Sequence, residues 1–153
     1  MARAFGFEII YPCKSDILKN AFCVQANRKG KPGIIVEAGG SGALANSEAV
    51  SAVIDGITNV MKFLRMLDGP FAFKNNYIML KHWVWMMAPH GGQFVPTVKI
   101  QERVKKGDVI AELYTIFGEK LESVKAPIEG IVLTVTKEPF VTAGDSIFQI
   151  GQT

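Results

Sequence analysis

Histidine and cysteine are scarce in this chain, and what they fail to form excludes whole classes of site. Two histidines, His82 and His90, and two cysteines, Cys13 and Cys23, occur in 153 residues. Neither histidine opens a His-x-x-Glu pair, because Trp85 stands three places after His82 and Gln93 three places after His90. The cysteines form no C-x-x-C pairing, and the four residues together match no structural zinc spacing. With no disulfide framework, a reduced, cytoplasmic protein is the simpler expectation. A basic run interleaved with aromatics is also missing, and the net charge of +3 is small and scattered, so nucleic acid is not an expected partner. The longest nearly uncharged run, Trp83 to Pro96, is too short and too interrupted to span a bilayer, so no membrane is expected either. The amino terminus, M-A-R-A-F-G-F-E, lacks the long apolar core of a signal peptide. What the chain has instead is a mean hydropathy of +0.20, high for a short soluble protein. Apolar surface in search of a partner follows from that, and self-association is expected.

A functional reading turns on residues Pro32 to Gly42, P-G-I-I-V-E-A-G-G-S-G. Ile34, Ile35 and Val36 form a β-branched run between turn signals, which predicts a buried strand of a parallel sheet. The strand ends in a carboxylate, Glu37, followed only by small residues, Ala38, Gly39, Gly40, Ser41 and Gly42. Ligands of open α/β sheets bind outside the carboxyl ends of the strands. An acid placed there, facing an opening, is a candidate proton-transfer group. Gly39 and Gly40 would line the same cleft. The glycines are no phosphate loop, since G-G-x-G is not a Walker motif and no lysine follows in the required place. On spacing alone, an acid at a strand end is more simply a polar residue meeting water.

The remaining elements of the first half follow from periodicity. Phe7 to Tyr11 predicts a strand closed by Pro12. Ser15 predicts an N-cap, with Asp16 in the first turn and Ile17, Leu18, Ala21, Phe22 and Val24 near helical spacing. Strand, helix and strand in about thirty residues make a βαβ crossover. Asn46 or Ser47 then caps a long helix whose apolar positions, from Val50 to Leu67, keep the 3.6 period. Asp68-Gly69-Pro70 is expected to end it. Its broad apolar stripe needs a sheet, and two strands are a thin one, so residues 1–70 read as a partial α/β (βαβα) segment of a larger domain. Residues 71–77 read as a linker.

From Ile78 the composition changes to short strands and many glycines, and the pattern A-P-x-x-G … V-x-x-G-D-x-I occurs twice. Ala88-Pro89-His90-Gly91-Gly92 precedes Val104-Lys105-Lys106-Gly107-Asp108-Val109-Ile110. Ala126-Pro127-Ile128-Glu129-Gly130 precedes Val141-Thr142-Ala143-Gly144-Asp145-Ser146-Ile147. Two short-strand units, each too small to bury a core, should pack as a pseudo-twofold β-barrel over 78–151. His90 reads more simply as a turn residue than as a ligand or substrate contact. Tyr77, Trp83, Trp85, Met86 and Met87 read as core or interface. The fold class is therefore α+β, a partial α/β segment followed by an all-β barrel.

Two resemblances rest on these residues. The repeat resembles a biotinyl/lipoyl-type barrel. The whole chain resembles the C-terminal portion of the succinylglutamate desuccinylase/aspartoacylase family, zinc-dependent deacylases related to zinc carboxypeptidases. The matching stretches, in order, are P-G-I-I-V-E-A-G-G (32–40), N-V-M-K-F-L-R-M-L-D-G (59–69), A-P-H-G-G (88–92), V-K-K-G-D-V-I (104–110), F-G-E (117–119) and A-P-I-E-G-I-V-L (126–133). The resemblance implies cleavage of an amide in a small N-acylated amino acid, with zinc polarising the carbonyl and a glutamate relaying the proton. By position Glu37 resembles that glutamate, and Gly39, Gly40 and His90 are cleft candidates. The family's zinc ligands, a His-x-x-Glu pair and a later His, lie upstream of these stretches and are not in this sequence. Zinc belongs to the family, and no metal or cofactor is expected in this chain alone, which should be inactive. The rival reading is a carrier or assembly module. Carrier domains present a modified lysine at a hairpin tip, eight residues before the proline of the A-P-x-x-G strand. Counting back from Pro127 gives Glu119, with Lys120 one place off and neither a Met-Lys-Met nor an Asp-Lys-Ala pattern around it.

Overall fold

The computed structural model of the chain describes residues 1–12, 18–40 and 46–153. It divides into two units, Met1–Met79 and Leu80–Thr153. The predicted cap at Ser15 with Asp16 and Ile17, and the small residues Ser41 and Gly42, lie outside the described residues, as does Cys13.

The first unit is built around one long helix. A short helix, α1 (Ala2–Phe5), opens the unit and is followed by β1 (Ile9–Ile10). Next come α2 (Phe22–Arg28), α3 (Ser47–Phe63) and β2 (Ile78–Met79). The side chain of Asn46 accepts hydrogen bonds from the main-chain N–H groups of Glu48 (3.1 Å) and Ala49 (3.2 Å), so the expected cap starts α3. The helix stops a turn earlier than its periodicity predicts. Arg65 takes the left-handed conformation (φ 59°). Its N–H donates to the Lys62 carbonyl (3.0 Å), and that of Met66 to the Met61 carbonyl (2.8 Å). These are the two bonds of a Schellman stop, made here by arginine where glycine is usual. The early stop lets the chain fold back. Phe71 and Phe73 then meet the Phe63 ring edge-on, at 5.4 Å and 5.3 Å between centroids. Asn59 fastens the returning segment, accepting from the Ala72 N–H (3.1 Å) and donating to the Ala72 carbonyl (2.7 Å). The Arg3 guanidinium lies over the Phe73 and Tyr77 rings. Residues 71–77, read from sequence as a linker, thus make contacts of their own within this unit.

The predicted βαβ crossover does not form as expected. β1 pairs in parallel with β2, Ile9 opposite Ile78 and Ile10 opposite Met79, and not with the run ending at Glu37. Residues 31–40 belong to no helix and no ladder. The reason is that a strand exists only against a neighbour, and among the described residues nothing lies alongside 34–36 to supply one. α2 is likewise shorter than predicted. Leu18 to Ala21 form a turn, and Val24 is the helix's buried residue while Phe22 stands exposed.

The second unit has eight strands: β3 (His82–Met87), β4 (Gly92–Pro96), β5 (Arg103–Val104), β6 (Val109–Tyr114), β7 (Lys120–Lys125), β8 (Gly130–Val135), β9 (Phe140–Val141) and β10 (Ser146–Gln152). They form two antiparallel sheets, ordered β3-β10-β8-β5 and β7-β6-β4-β9. Moving each strand to its counterpart in the other repeat turns the first order into the second. The pseudo-twofold therefore exchanges whole sheets, and each sheet mixes strands of both repeats. The turns interlock in the same way. Ala88 N–H donates to the Asp145 carbonyl and Gly144 N–H to the Ala88 carbonyl, both at 2.8 Å. Ala126 N–H donates to the Asp108 carbonyl (2.9 Å) and Gly107 N–H to the Ala126 carbonyl (2.8 Å). Each aspartate also closes its own turn, accepting from the main-chain N–H of Lys105 or Thr142.

The expected closed barrel is corrected to two open sheets sharing one core. β5 and β9, two residues each, end their sheets and are too short to carry a ladder across. Phe94 and Phe148, from opposite sheets, meet at 5.6 Å, within a cluster that includes Ile110, Leu113, Val132, Ile147 and Ile150. Each such fully buried side chain contributes about 1.5–3 kcal/mol.

Candidate functional site

The run Ile34–Val36 ends at Glu37, whose side chain is exposed. The run is anchored at its start. Asn27, in the last turn of α2, donates to the Gly33 carbonyl (3.1 Å) and accepts from the Gly33 N–H (2.8 Å). Two bonds to one residue imitate a step of a β-ladder and fix the direction in which 34–37 leaves α2. Gly33 permits the approach, since a Cβ there would lie 3.0 Å from the Cα of Cys23. Nothing in the sequence singled out Asn27, because an asparagine near a helix end also reads as an ordinary stop signal.

Behind Glu37 the chain turns through Gly39 (φ 98°) and Gly40 (φ 88°), both in the left-handed region open to glycine. A Cβ at Gly39 would touch the Ala49 side chain at 3.5 Å, and one at Gly40 would meet nothing among the described residues. Gly39 therefore brings the main chain up to the start of α3. Among the described residues Glu37 has no hydrogen-bond or ion-pair partner. An exposed carboxylate of that kind can accept and release a proton to water or to a bound molecule.

His90 lies in the second unit. Its Nε2 is 3.2 Å from Oε2 of Glu122, and both side chains are well exposed. It is thus a histidine between β3 and β4 with a carboxylate partner. His82, at the start of β3, is exposed as well. Trp83 and Trp85 stack edge to face at 5.8 Å, while Met86 packs on the core and Met87 is exposed. A shallow cleft in the first unit, ≈ 290 Å³, is lined by Glu8, Asn76, Tyr77 and Ile78. Its one carboxylate already pairs with Lys74 (3.1 Å).

Lys120, the lysine nearest a carrier position, is not a free arm. Its ammonium is 2.8 Å from Oε2 of Glu112, which also accepts from the Ser123 hydroxyl (3.0 Å). Hydrogen bonding to Lys120 holds the Glu112 carboxyl below its ordinary range, and the same bond raises the lysine. The tip itself is braced by Thr115, whose hydroxyl accepts from Phe117 and Glu119 N–H groups, and it projects Ile116 and Phe117 into solvent.

No protein-family model matches the sequence, and no curated protein matches it. Solved structures do. An ectoine utilization protein of Ruegeria pomeroyi superimposes with a TM-score of 0.85 over 99% of this chain and 47% of its own, at 19% identity. A succinylglutamate desuccinylase from a Silicibacter species matches with a TM-score of 0.80, 20% identity, and coverage of 97% and 46%. A succinylglutamate desuccinylase/aspartoacylase from Rhodobacter sphaeroides gives 0.78, 24%, 99% and 47%. The fold is that of succinylglutamate desuccinylase/aspartoacylase proteins. The chain spans about half the length of the solved proteins it matches.

The family resemblance implies zinc, and the described residues do not fit it. Among them no three His, Cys, Asp or Glu side chains are grouped to hold a metal ion. Nor, among the described residues, is any helix long and apolar enough to cross a membrane.

Proposed function

We propose that this chain is the C-terminal part of a deacylase that hydrolyses the amide bond of an N-acyl amino acid or a similar small molecule. The observation that supports the reading is the likeness of fold, which runs through both units in one order over 97 to 99% of the chain. In this reading Glu37 is the proton carrier. Its carboxylate takes a proton from the attacking water and passes it to the leaving amine as the amide C–N bond breaks. Gly39 and Gly40 keep side chains away from that carboxylate, so a small substrate can reach it. Since the described side chains bring no donor set for zinc, the chain alone is expected to be inactive. Its compartment in this reading is the cytoplasm.

Metal analysis and a hydrolysis assay on a panel of N-acyl amino acids test the proposal together. The expected result is less than stoichiometric zinc and no turnover, with Glu37→Gln indistinguishable from the parent chain. Turnover by the chain alone with one bound zinc would overturn it. The carrier alternative has the Lys120–Glu112 pair against it; incubation with biotin or lipoate ligase should leave the intact mass unchanged.

A further inference from the structure

α3 carries two apolar stripes, and among the described residues only one of them is covered. Gly56 and Phe63 mark the covered stripe. A Cβ on Gly56 would lie 2.6 Å from the Phe5 ring, and Phe63 sits against Phe71 and Phe73. The second stripe is Val50, Ile54, Ile57, Met61 and Leu64, spaced four and three residues apart along about 20 Å of helix. Val50, Ile54, Ile57 and Leu64 are 52%, 57%, 49% and 43% exposed. The run Ile34–Val36 is also only partly covered among the described residues. Ile35 is half exposed, and no main-chain hydrogen bond joins 34–37 to another strand among the described residues.

The two features name the kind of occupant. A helix stripe alone could take another helix, but an Ile-Ile-Val run open along both edges needs strands on each side. A second copy related by a twofold would pair one edge and leave the other bare. The solved neighbours contain about as much chain again as this one matches. Building on the deacylase reading, we propose that the uncovered α3 stripe and residues 34–37 together seat an α/β polypeptide segment. That segment brings strands to both edges of 34–37, as the counterpart of the neighbours' unmatched half.

The probe is the half of the Ruegeria ectoine utilization protein that this chain does not match, mixed with the intact 153-residue chain. The remaining half of the Ruegeria protein serves as the positive control. A one-to-one complex is expected by light scattering, with amide exchange at 34–37 slowed at least tenfold. Ile54→Glu and Ile57→Glu, both at exposed positions, should each weaken it at least tenfold with unchanged circular dichroism. Phe117→Ser, in the second unit, should leave it intact. Three results would each overturn the proposal: binding of the probe by the control half but not by this chain, a complex indifferent to Ile54→Glu, or self-dimerisation through α3 instead. Hydrolysis is read separately. A complex without turnover keeps this inference and defeats the deacylase reading, whereas turnover with no slowing at 34–37 does the reverse.

Discussion

Replacing Gly56 by alanine should destabilise the first unit, although alanine is the better helix former. In an exposed helix interior the change would gain about 1 kcal/mol. Here the new methyl would stand 2.6, 2.7 and 2.8 Å from Cε1, Cζ and Cδ1 of Phe5. Carbon atoms in contact prefer about 3.5–4.0 Å, so the ring must retreat by roughly 1 Å. It has little room to do so. Phe5 is 8% exposed and its ring meets Phe7 edge-on at 4.8 Å. Overpacking of this kind costs about 1–3 kcal/mol. The balance is a net loss of about 1 kcal/mol in the wild-type background. With Phe5→Leu the ring is gone, and Gly56→Ala should become stabilising by up to about 1 kcal/mol. Urea unfolding followed by far-ultraviolet circular dichroism reads this directly, since α1, α2 and α3 all lie in the first unit. A double-mutant cycle should give a coupling of about 1–3 kcal/mol. Stabilisation by Gly56→Ala with Phe5 present, or a coupling near zero, would refute the reasoning.

Three further outcomes are expected. Arg65→Gly should stabilise α3 by about 1 kcal/mol, because the left-handed stop costs arginine that much and glycine nothing; the midpoint of the same urea transition reports it. Gly130→Ala should cost the second unit about 3 kcal/mol, because a Cβ there would lie 2.2 Å from the Gly151 carbonyl oxygen, and Trp fluorescence should follow the loss. Glu112→Gln should remove a contribution that depends on pH. The lowered Glu112 carboxyl contributes above the usual carboxylate range and ceases to as pH falls through its folded value. The raised Lys120 contributes below the usual lysine range and ceases to as pH rises through its folded value. Denaturation of Glu112→Gln beside the parent should therefore show a difference near neutral pH that vanishes in strong acid.

Much of the second unit could be read from the chain because its signals are local. The paired glycines and aspartates at Gly107-Asp108 and Gly144-Asp145 demand turns wherever they occur, and both sit in them with positive φ at the glycine. The same holds for Asn46, whose cap needs only the next three residues. That the sheets stay open, each drawing strands from both repeats, was not legible. It depends on which edges run out of partners, and β5 and β9 do so after two residues.

The candidate site divides along the same line. An acid after a β-branched run, with glycines behind it, is written in residues 34–40. That the run carries no ladder, that Asn27 holds its start and that α3 stops at Arg65 are decided in three dimensions. A strand, a two-bond clamp and a helix end are each settled by what the main chain finds beside it, and a sequence does not record its neighbours in space.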